Sequence, residues 1–266
     1  MNKSNFREVS IVNSSERINK RGQLTIFIIV AIIIVVGIVA AFWLMGRSDI
    51  ETPADLNPKQ FVEKCVRDAV EDSVEKMLEN GGQRVPSQAI SYQGDEWNYL
   101  CYQADFYQGC YNLHPMLEFL IEDEIKEDTK GIVQECFDSM RDDFESKGFD
   151  ISGGSTDYSI NLLPGMVEVN LKKKINIVRG DSSQSFEDFD TKILSPIYEL
   201  MRIAREVVNS EAQFCHFEYN GYMLLYPDYE IRRIDYSDSK IYRIIDRRTE
   251  AEFKFAVRSC AFAPGI

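Results

Sequence analysis

The chain has 266 residues and a formal net charge of −13, with 43 acidic side chains against 30 lysines and arginines. Beyond Arg47 there are 24 basic and 41 acidic residues, so that part carries a net charge near −17. Nucleic acids and anionic lipid headgroups are bound through lysine and arginine, so this charge excludes a nucleic-acid partner and argues against docking on anionic headgroups.

The first predicted element is a membrane-spanning helix over residues 24–45. Its sequence, LTIFIIVAIIIVVGIVAAFWLM, contains no charged residue and has Thr25 as its one ordinary polar side chain. At 1.5 Å per residue this helix is roughly 33 Å long, enough to cross a hydrocarbon core of roughly 30 Å. We therefore expect the chain to contact the lipid bilayer through this segment.

The charges that flank the span predict its orientation. Residues 1–23 contain five lysines and arginines against Glu8 and Glu16, whereas Arg47 is followed by Asp49 and Glu51. Positive flanks stay on the cytoplasmic side. We expect a single-pass cell-membrane protein with residues 1–23 in the cytoplasm, a linker over 46–57 and an extracytoplasmic domain over 58–266. A cleaved secretory signal is the alternative, although 22 apolar residues exceed an ordinary signal core.

The residues just before the span, Lys20-Arg21-Gly22-Gln23-Leu24, resemble the archaeal prepilin-type (class III) signal. The resemblance implies cleavage after Gly22, which would make Gln23 the mature N-terminus. Many pilins have Glu at the fifth mature position, where this chain has Phe27, and Pro53 and Pro58 interrupt the long helix of a pilin core. The layout is also similar to single-pass exported proteins of archaea. Both resemblances cover about the first fifth of the chain and imply a location.

The first half of the domain is predicted to be mainly helical. Asn57-Pro58 is typical of a helix start, and apolar residues recur at helical spacing until Asn80-Gly81-Gly82. Residues 84–112 lose this periodicity and predict a compact irregular region or short hairpin rich in aromatics. A second helical region follows from Pro115 to Gly148, with two apolar stripes separated by Gly131.

The second half is predicted to be mixed. Residues 156–163 and 166–179 form a hairpin around Pro164-Gly165, and residues 183–194 return as a third strand. A strong helix opens at Ser195-Pro196, and three more strands follow over 229–235, 240–246 and 251–259. Strands in runs with helices between them indicate an α+β fold of amphipathic helices and antiparallel β-sheet.

All six cysteines lie in the predicted extracytoplasmic domain. An even number on an oxidising side predicts three disulfides, although six reduced thiols in apolar positions are the alternative. Six cysteines allow 15 pairings, and sequence alone does not choose among them. The pairing we favour joins Cys101 with Cys110, which are close in sequence, and Cys65 with Cys136, which lie on two predicted helices. It also joins Cys215 with Cys260, which would tie the C-terminal strand to the segment after the last long helix.

Residues that could carry chemistry are few. The sequence contains no recognised nucleophile, zinc or nucleotide motif, so we expect no catalytic residue, metal site or cofactor. The acidic run over 118–128 is interpreted as the water-facing side of a helix. Lys173 lies on the otherwise apolar face of its strand, which indicates a sheet edge protected by a lysine.

A partner-binding site is predicted in the aromatic segment from Tyr92 to Tyr111. It has seven aromatic residues, and aromatic side chains contribute much of the energy at interfaces. We expect Tyr99 and Tyr111 to pack inward. The candidates for exposure and binding are Trp97, Tyr102, Phe106 and Tyr107.

Three functions are compatible with this sequence. The leading hypothesis is a non-catalytic, membrane-anchored cell-surface protein that binds an unknown protein or envelope ligand through its ectodomain. The alternatives are a pilin-like subunit of a surface filament and an acidic extracellular hydrolase, which would need carboxylates from distant segments in one cleft.

Overall fold

The structure is a computed structural model that describes residues 30–37 and 57–263. It divides into one unit over residues 1–55 and another over 56–266. In the first unit, residues 30–37 are helical and their apolar side chains are exposed. No helix within the described ranges has both the length and the apolar character needed to cross a bilayer. The rest of the predicted span, the tail with Gly22 and Gln23, and most of the linker lie outside those ranges.

The second unit contains four helices among its described residues. The Asn57 side chain caps the first by accepting a hydrogen bond from the Lys59 amide, as its sequence predicts. The second helix confirms the predicted helical region and continues through Gly131; its buried face runs from Leu117 to Phe144, with Thr129 between the two predicted apolar stripes. Gly131 costs the helix about 1 kcal/mol relative to alanine, and the packing of this helix against the first one offsets that cost. The helices are α1 (Pro58–Glu79), α2 (Leu117–Ser146), α3 (Ile197–Phe214) and α4 (Tyr219–Leu225).

The described strands form two sheets that are mostly antiparallel, and the predicted α+β class is confirmed. The strands are β1 (Ala89–Tyr92), β2 (Asp95–Tyr102), β3 (Tyr111–Asn112), β4 (Asp150–Gly153), β5 (Asp157–Leu163), β6 (Met166–Arg179), β7 (Ser182–Asp188), β8 (Thr191–Leu194), β9 (Tyr229–Tyr236), β10 (Ser239–Asp246) and β11 (Glu252–Arg258).

The first sheet joins the aromatic segment to the end of the chain. Its order is β1-β2-β11-β10-β9, and β3 pairs with β2. The predicted hairpin is present as β1 and β2, but β2 also pairs in parallel with β11. This parallel pair departs from the predicted antiparallel sheet, and it places the loop after β2 beside the C-terminal segment.

The second sheet is built around the long strand β6. β5 and β4 pair with β6 along its length, and so do β8 and β7. The predicted third strand is therefore two shorter ones. Lys173 lies in this central strand and is buried, so its interpretation as the guard of a sheet edge is wrong.

A continuous apolar core joins the helices to both sheets. α1 and α2 pack against each other, and α3 packs against β10 and β11. A smaller apolar cluster contains Trp97, Tyr99, Ile241 and Ala256 of the first sheet. Side chains of both clusters therefore cover β2. This packing determines which aromatic side chains of β2 reach solvent.

Candidate binding surface

The loop between β2 and β3 is held against the C-terminal segment. The Cys101–Cys110 disulfide closes the loop. The Tyr107 amide donates to the Ala261 carbonyl at 2.9 Å, and the Cys260 amide donates to the Gln108 carbonyl at 2.7 Å. Together with the Gln103 amide, which donates to the Arg258 carbonyl at 3.0 Å, these backbone bonds fix residues 103–108 to residues 258–261.

A second disulfide attaches the same segment to α3. Cys215, which caps α3 in a left-handed conformation, is bonded to Cys260. Gly109 packs so closely on α3 that a Cβ atom there would collide with the Ala212 carbonyl oxygen. The Ser259 hydroxyl donates to the Glu211 carbonyl at 2.7 Å. Loop, helix end and C-terminal segment therefore form one cross-linked region.

Exposed aromatic rings cover this region. Tyr107 is 53% exposed and Phe262 77% exposed, and their ring centroids are 5.7 Å apart. The Phe106 ring lies 6.5 Å from that of Tyr107. Tyr111 is 70% exposed and is the direct cross-strand partner of Tyr102, so both side chains leave the same face of the sheet. We name the set of Tyr102, Phe106, Tyr107, Tyr111 and Phe262 the aromatic surface.

Arg258 supports the aromatic surface from below. Its buried guanidinium donates to Asp238 Oδ2 at 2.7 Å and to the Gln103 carbonyl. It also lies 5.6 Å from the Tyr102 ring and 5.3 Å from the Phe106 ring, within cation–π range. Burial alone would raise the pKa of Asp238, but the hydrogen bond and charge of Arg258 hold that pKa below its ordinary value.

A cleft of about 450 Å³ reaches the aromatic surface at Phe262, and the Cys215–Cys260 disulfide forms part of its wall. Its charged side chains are paired: Arg233 lies 3.2 Å from Asp235, and Lys240 lies 2.5 Å from the fully buried Glu211. Because these charges balance, the cleft has no strong preference for an anion or a cation. The area available for contact with a partner is therefore defined mainly by the aromatic rings.

The four predicted binding residues differ in their exposure to solvent. Phe106 and Tyr107 are exposed, and Tyr102 is half-buried. Trp97 is 6% exposed, so its predicted exposure is wrong. Its partner across β1 and β2 is Ile90, its ring lies 6.3 Å from Tyr92, and the smaller apolar cluster covers it.

Tyr99 and Tyr111, which were both predicted to pack inward, differ in exposure. Tyr99 is buried as expected and shares a 2.8 Å hydrogen bond with Ser239. Tyr111, which was expected to pack inward, is exposed because β3 is only two residues long and lies beside β2 at the sheet margin. Arg258 and Phe262 were missed because only the pairing of distant segments brings them to the loop.

The predicted disulfide bonds are confirmed, and the pairs are those favoured from the sequence. Cys65 on α1 is bonded to Cys136 on α2, in addition to the two bridges of the aromatic region. The described residues contain no free cysteine.

The buried carboxylates of the described part of the chain have structural partners. Glu211 accepts from the Tyr242 hydroxyl and from Lys240 Nζ. Asp246 accepts from the backbone amides of Arg248 and Thr249 and from the Arg248 guanidinium. Their hydrogen bonds join α3 to β10 and close the turn after β10. These structural roles are sufficient to explain why both carboxylates are buried.

No protein-family model matches this chain, and no curated protein or solved structure is significantly similar to it. The function is therefore inferred from the geometry of the domain and from the sequence of the first 57 residues.

Proposed function

We propose that this chain is a membrane-anchored, non-catalytic protein of the cell surface that binds a protein or another envelope component through its C-terminal domain. The observation that carries this proposal is the aromatic surface, which lies on a loop closed by one disulfide, on the strands beside it and on a C-terminal segment held by another. Exposed aromatics contribute much of the energy at protein interfaces. Rings held in place before binding also lose little conformational entropy when the partner arrives.

The location rests on the sequence and on the disulfides. The uncharged stretch over residues 24–45 supplies the anchor, and the basic flank before it keeps the N-terminus in the cytoplasm. Three disulfides in one domain are typical of an oxidising compartment outside the cytoplasm. Protease added to intact cells should therefore remove the C-terminal domain, whereas protection of that domain would reverse the topology.

The binding role is tested by removing the most exposed rings. In the double variant Tyr107→Ser, Phe262→Ser, the lost rings are solvent-exposed, so folding should be unaffected. Leu194→Ser is the matched control, because Leu194 is exposed on β8 of the other sheet. Full-length proteins are cross-linked on intact cells, purified and compared by quantitative mass spectrometry.

We expect the double variant to lose at least about tenfold of the specifically captured partner, equivalent to about 1.4 kcal/mol of binding energy. The Leu194→Ser control should capture as much as the unmodified protein. Equal capture by the folded double variant and the unmodified protein would overturn the proposed surface.

A further inference from the structure

A second cleft of about 900 Å³ lies between α2, the β4–β5 connection and β6. None of its described lining residues belongs to the aromatic surface. Its size falls within the range of pockets that hold small organic ligands and is far larger than a bare ion needs.

Lys173 lies at the cleft and is only 6% exposed. Its Nζ lies 4.6 Å from the centroid of the Phe137 ring and donates to Thr156 Oγ1 at 2.9 Å. An ammonium group has three hydrogens to donate, and burying a charge without a paired counter-charge costs several kcal/mol. Among the described residues, the Lys173 ammonium makes one hydrogen bond and one contact with an aromatic face.

The other buried charges of the described chain have an ionic partner. Glu211 pairs with Lys240, Asp246 with Arg248, and Arg258 with Asp238. Lys173 has no carboxylate within 4.0 Å among the described residues. Burial lowers the pKa of its ammonium group, Asp138 opposes that shift and Arg141 adds to it. A negative ligand at Lys173 would supply the missing partner.

The surroundings of Lys173 favour such a ligand. Lys126, Lys130 and Arg141 also line the cleft, against the carboxylates of Glu127 and Asp157. The cleft is therefore locally positive in a domain with a net charge near −17. Lys130 and Arg141 contact Glu127 and Asp138 only in exposed pairs one helical turn apart, which contribute little and can rearrange.

Neutral donors complete the site. The hydroxyls of Ser155 and Thr156 line the same cleft, whereas the amide of Gln134 already donates to the Asp138 carboxylate at 3.2 Å. The connection that carries Ser155 is tied to β6, because the Gly154 amide donates to the Lys174 carbonyl at 3.0 Å. Lysine and hydroxyl groups at one point are a suitable donor set for an oxyanion.

We propose that this cleft binds a small organic anion, with a carboxylate or phosphate oxygen in contact with the Lys173 ammonium. The positive rim attracts the anion, and the volume beyond Lys173 accommodates the rest of the molecule. The site is independent of partner binding at the aromatic surface.

The test uses the full-length chain in detergent and isothermal titration calorimetry. The probes are inorganic phosphate for the phosphate source and glucuronate for the carboxylate source, with glucose as the neutral control. Lys173→Met removes the charge and keeps the length of the side chain. Lys172→Met and Lys174→Met are matched controls, because both neighbours are exposed on the opposite face of β6.

We expect saturable binding of phosphate or glucuronate, no binding of glucose, and a loss of at least about tenfold in affinity in Lys173→Met but not in the controls. Binding of phosphate alone identifies a phosphate ligand, and binding of glucuronate alone a carboxylate. If Lys173→Met does not fold, Lys126→Gln with Lys130→Gln should weaken the same binding without unfolding the chain.

The proposal is overturned if neither anion binds with a dissociation constant below about 10 mM. It is also overturned if a folded Lys173→Met protein binds as well as the unmodified one. Equal losses in Lys172→Met and Lys173→Met would show attraction by net charge alone and would equally contradict a built site.

Discussion

Arg258 links the interior of the domain to its proposed binding surface. One guanidinium is bonded to Asp238 and to the Gln103 carbonyl, and it lies under the rings of Tyr102 and Phe106. Such a planar group can bond and stack at the same time, which lysine cannot. The orientation of the exposed rings therefore depends on a residue that is itself buried.

Replacing Arg258 should lower the stability of the domain. Arg258→Gln removes the charge and takes from Asp238 its ionic partner, leaving it the Ser239 hydroxyl, and from the Gln103 carbonyl the guanidinium donor. We therefore expect a loss of about 2 kcal/mol in the free energy of unfolding. Arg232→Gln is the control, because its pair with Glu230 is exposed and should contribute under about 1 kcal/mol. Urea unfolding of both variants measures the difference, and equal losses would contradict a special role for Arg258.

Asp246 gives the domain a stability that depends on pH. Burial alone would raise the pKa of this carboxyl, but the hydrogen bonds from Arg248 and Thr249 hold it below its ordinary value. A lowered pKa stabilises the fold above the unfolded-state value near 3.9, and the stabilisation is lost as pH falls through the folded-state value.

We therefore expect Asp246→Asn to be less stable than the unmodified protein by about 1–3 kcal/mol at pH 7. The difference should shrink as pH falls below about 4, where the carboxyl becomes protonated in the unfolded chain while it is still ionised in the folded one. Denaturant titrations from pH 7 to 3 follow it. A difference that stays constant over this interval would show that the carboxylate charge is not what stabilises the turn.

At the scale of elements, α3 is joined to β10 by a buried polar cluster. The Glu211 carboxylate, fully buried on α3, accepts from Lys240 Nζ and from the Tyr242 hydroxyl, and Lys240 also donates to the Cys215 carbonyl. Because the three side chains satisfy one another, the cluster fixes the helix at one position on the sheet.

Lys240→Met should cost about 3–5 kcal/mol, because it leaves the Glu211 carboxylate buried without a counter-charge. The double variant Glu211→Gln, Lys240→Met removes both charges and should recover part of that loss. Thermal unfolding of the two single variants and the double variant gives the coupling energy. Additive losses would contradict a direct ion pair.

The elements that were predicted correctly are those that a local sequence pattern specifies. α1 begins at Asn57-Pro58, and the hairpin of β5 and β6 turns at Pro164-Gly165, as expected. The parallel pairing of β11 with β2 joins segments more than 150 residues apart, and no local pattern encodes it. The binding residues were also predicted only as far as local sequence allows. Phe106 and Tyr107 were found from the local density of aromatic residues, whereas the burial of Trp97 follows from β2 lying between β1 and β11.

The sequence contained a signal for the cleft at Lys173, but it was interpreted wrongly. The alternation of β6 placed Lys173 on the apolar face, which the structure confirms. Sequence could not show that β6 pairs on both sides, so an edge was the natural interpretation. A lysine on the inner face of a central strand instead requires a partner for its charge.

At the scale of the whole molecule, the three disulfides close loops of very different length. Cys65–Cys136 closes a separation of 71 residues, whereas Cys101–Cys110 closes only 9. The longer loop restricts the unfolded chain more, because the entropy of loop closure grows with the logarithm of its length.

Removing the long bridge should therefore cost more than removing the short one. We expect Cys65→Ala with Cys136→Ala to lose about 4 kcal/mol and Cys101→Ala with Cys110→Ala about 2.5 kcal/mol. Guanidinium unfolding under non-reducing conditions measures both. The reverse order would show that local packing, and not chain entropy, governs the contribution of these bridges.

Processing of the N-terminus distinguishes an anchor from a pilin-like signal. If the prepilin-like motif is used, the mature protein begins at Gln23, and Gly22→Leu should block cleavage. Mass spectrometry of the membrane-bound protein reads the N-terminus directly. Recovery of Met1 or Asn2 as the first residue would leave the uncleaved anchor as the state of the protein.

The central claim is that the aromatic surface is where a partner binds outside the cell, and site-specific photo-cross-linking in intact cells tests it most directly. A photo-reactive phenylalanine analogue is placed at Tyr107, at Phe262 or, as control, at Leu194. The account predicts the same discrete adduct from Tyr107 and Phe262 and none from Leu194. An adduct of equal yield from Leu194, or no adduct from either aromatic position, would contradict it.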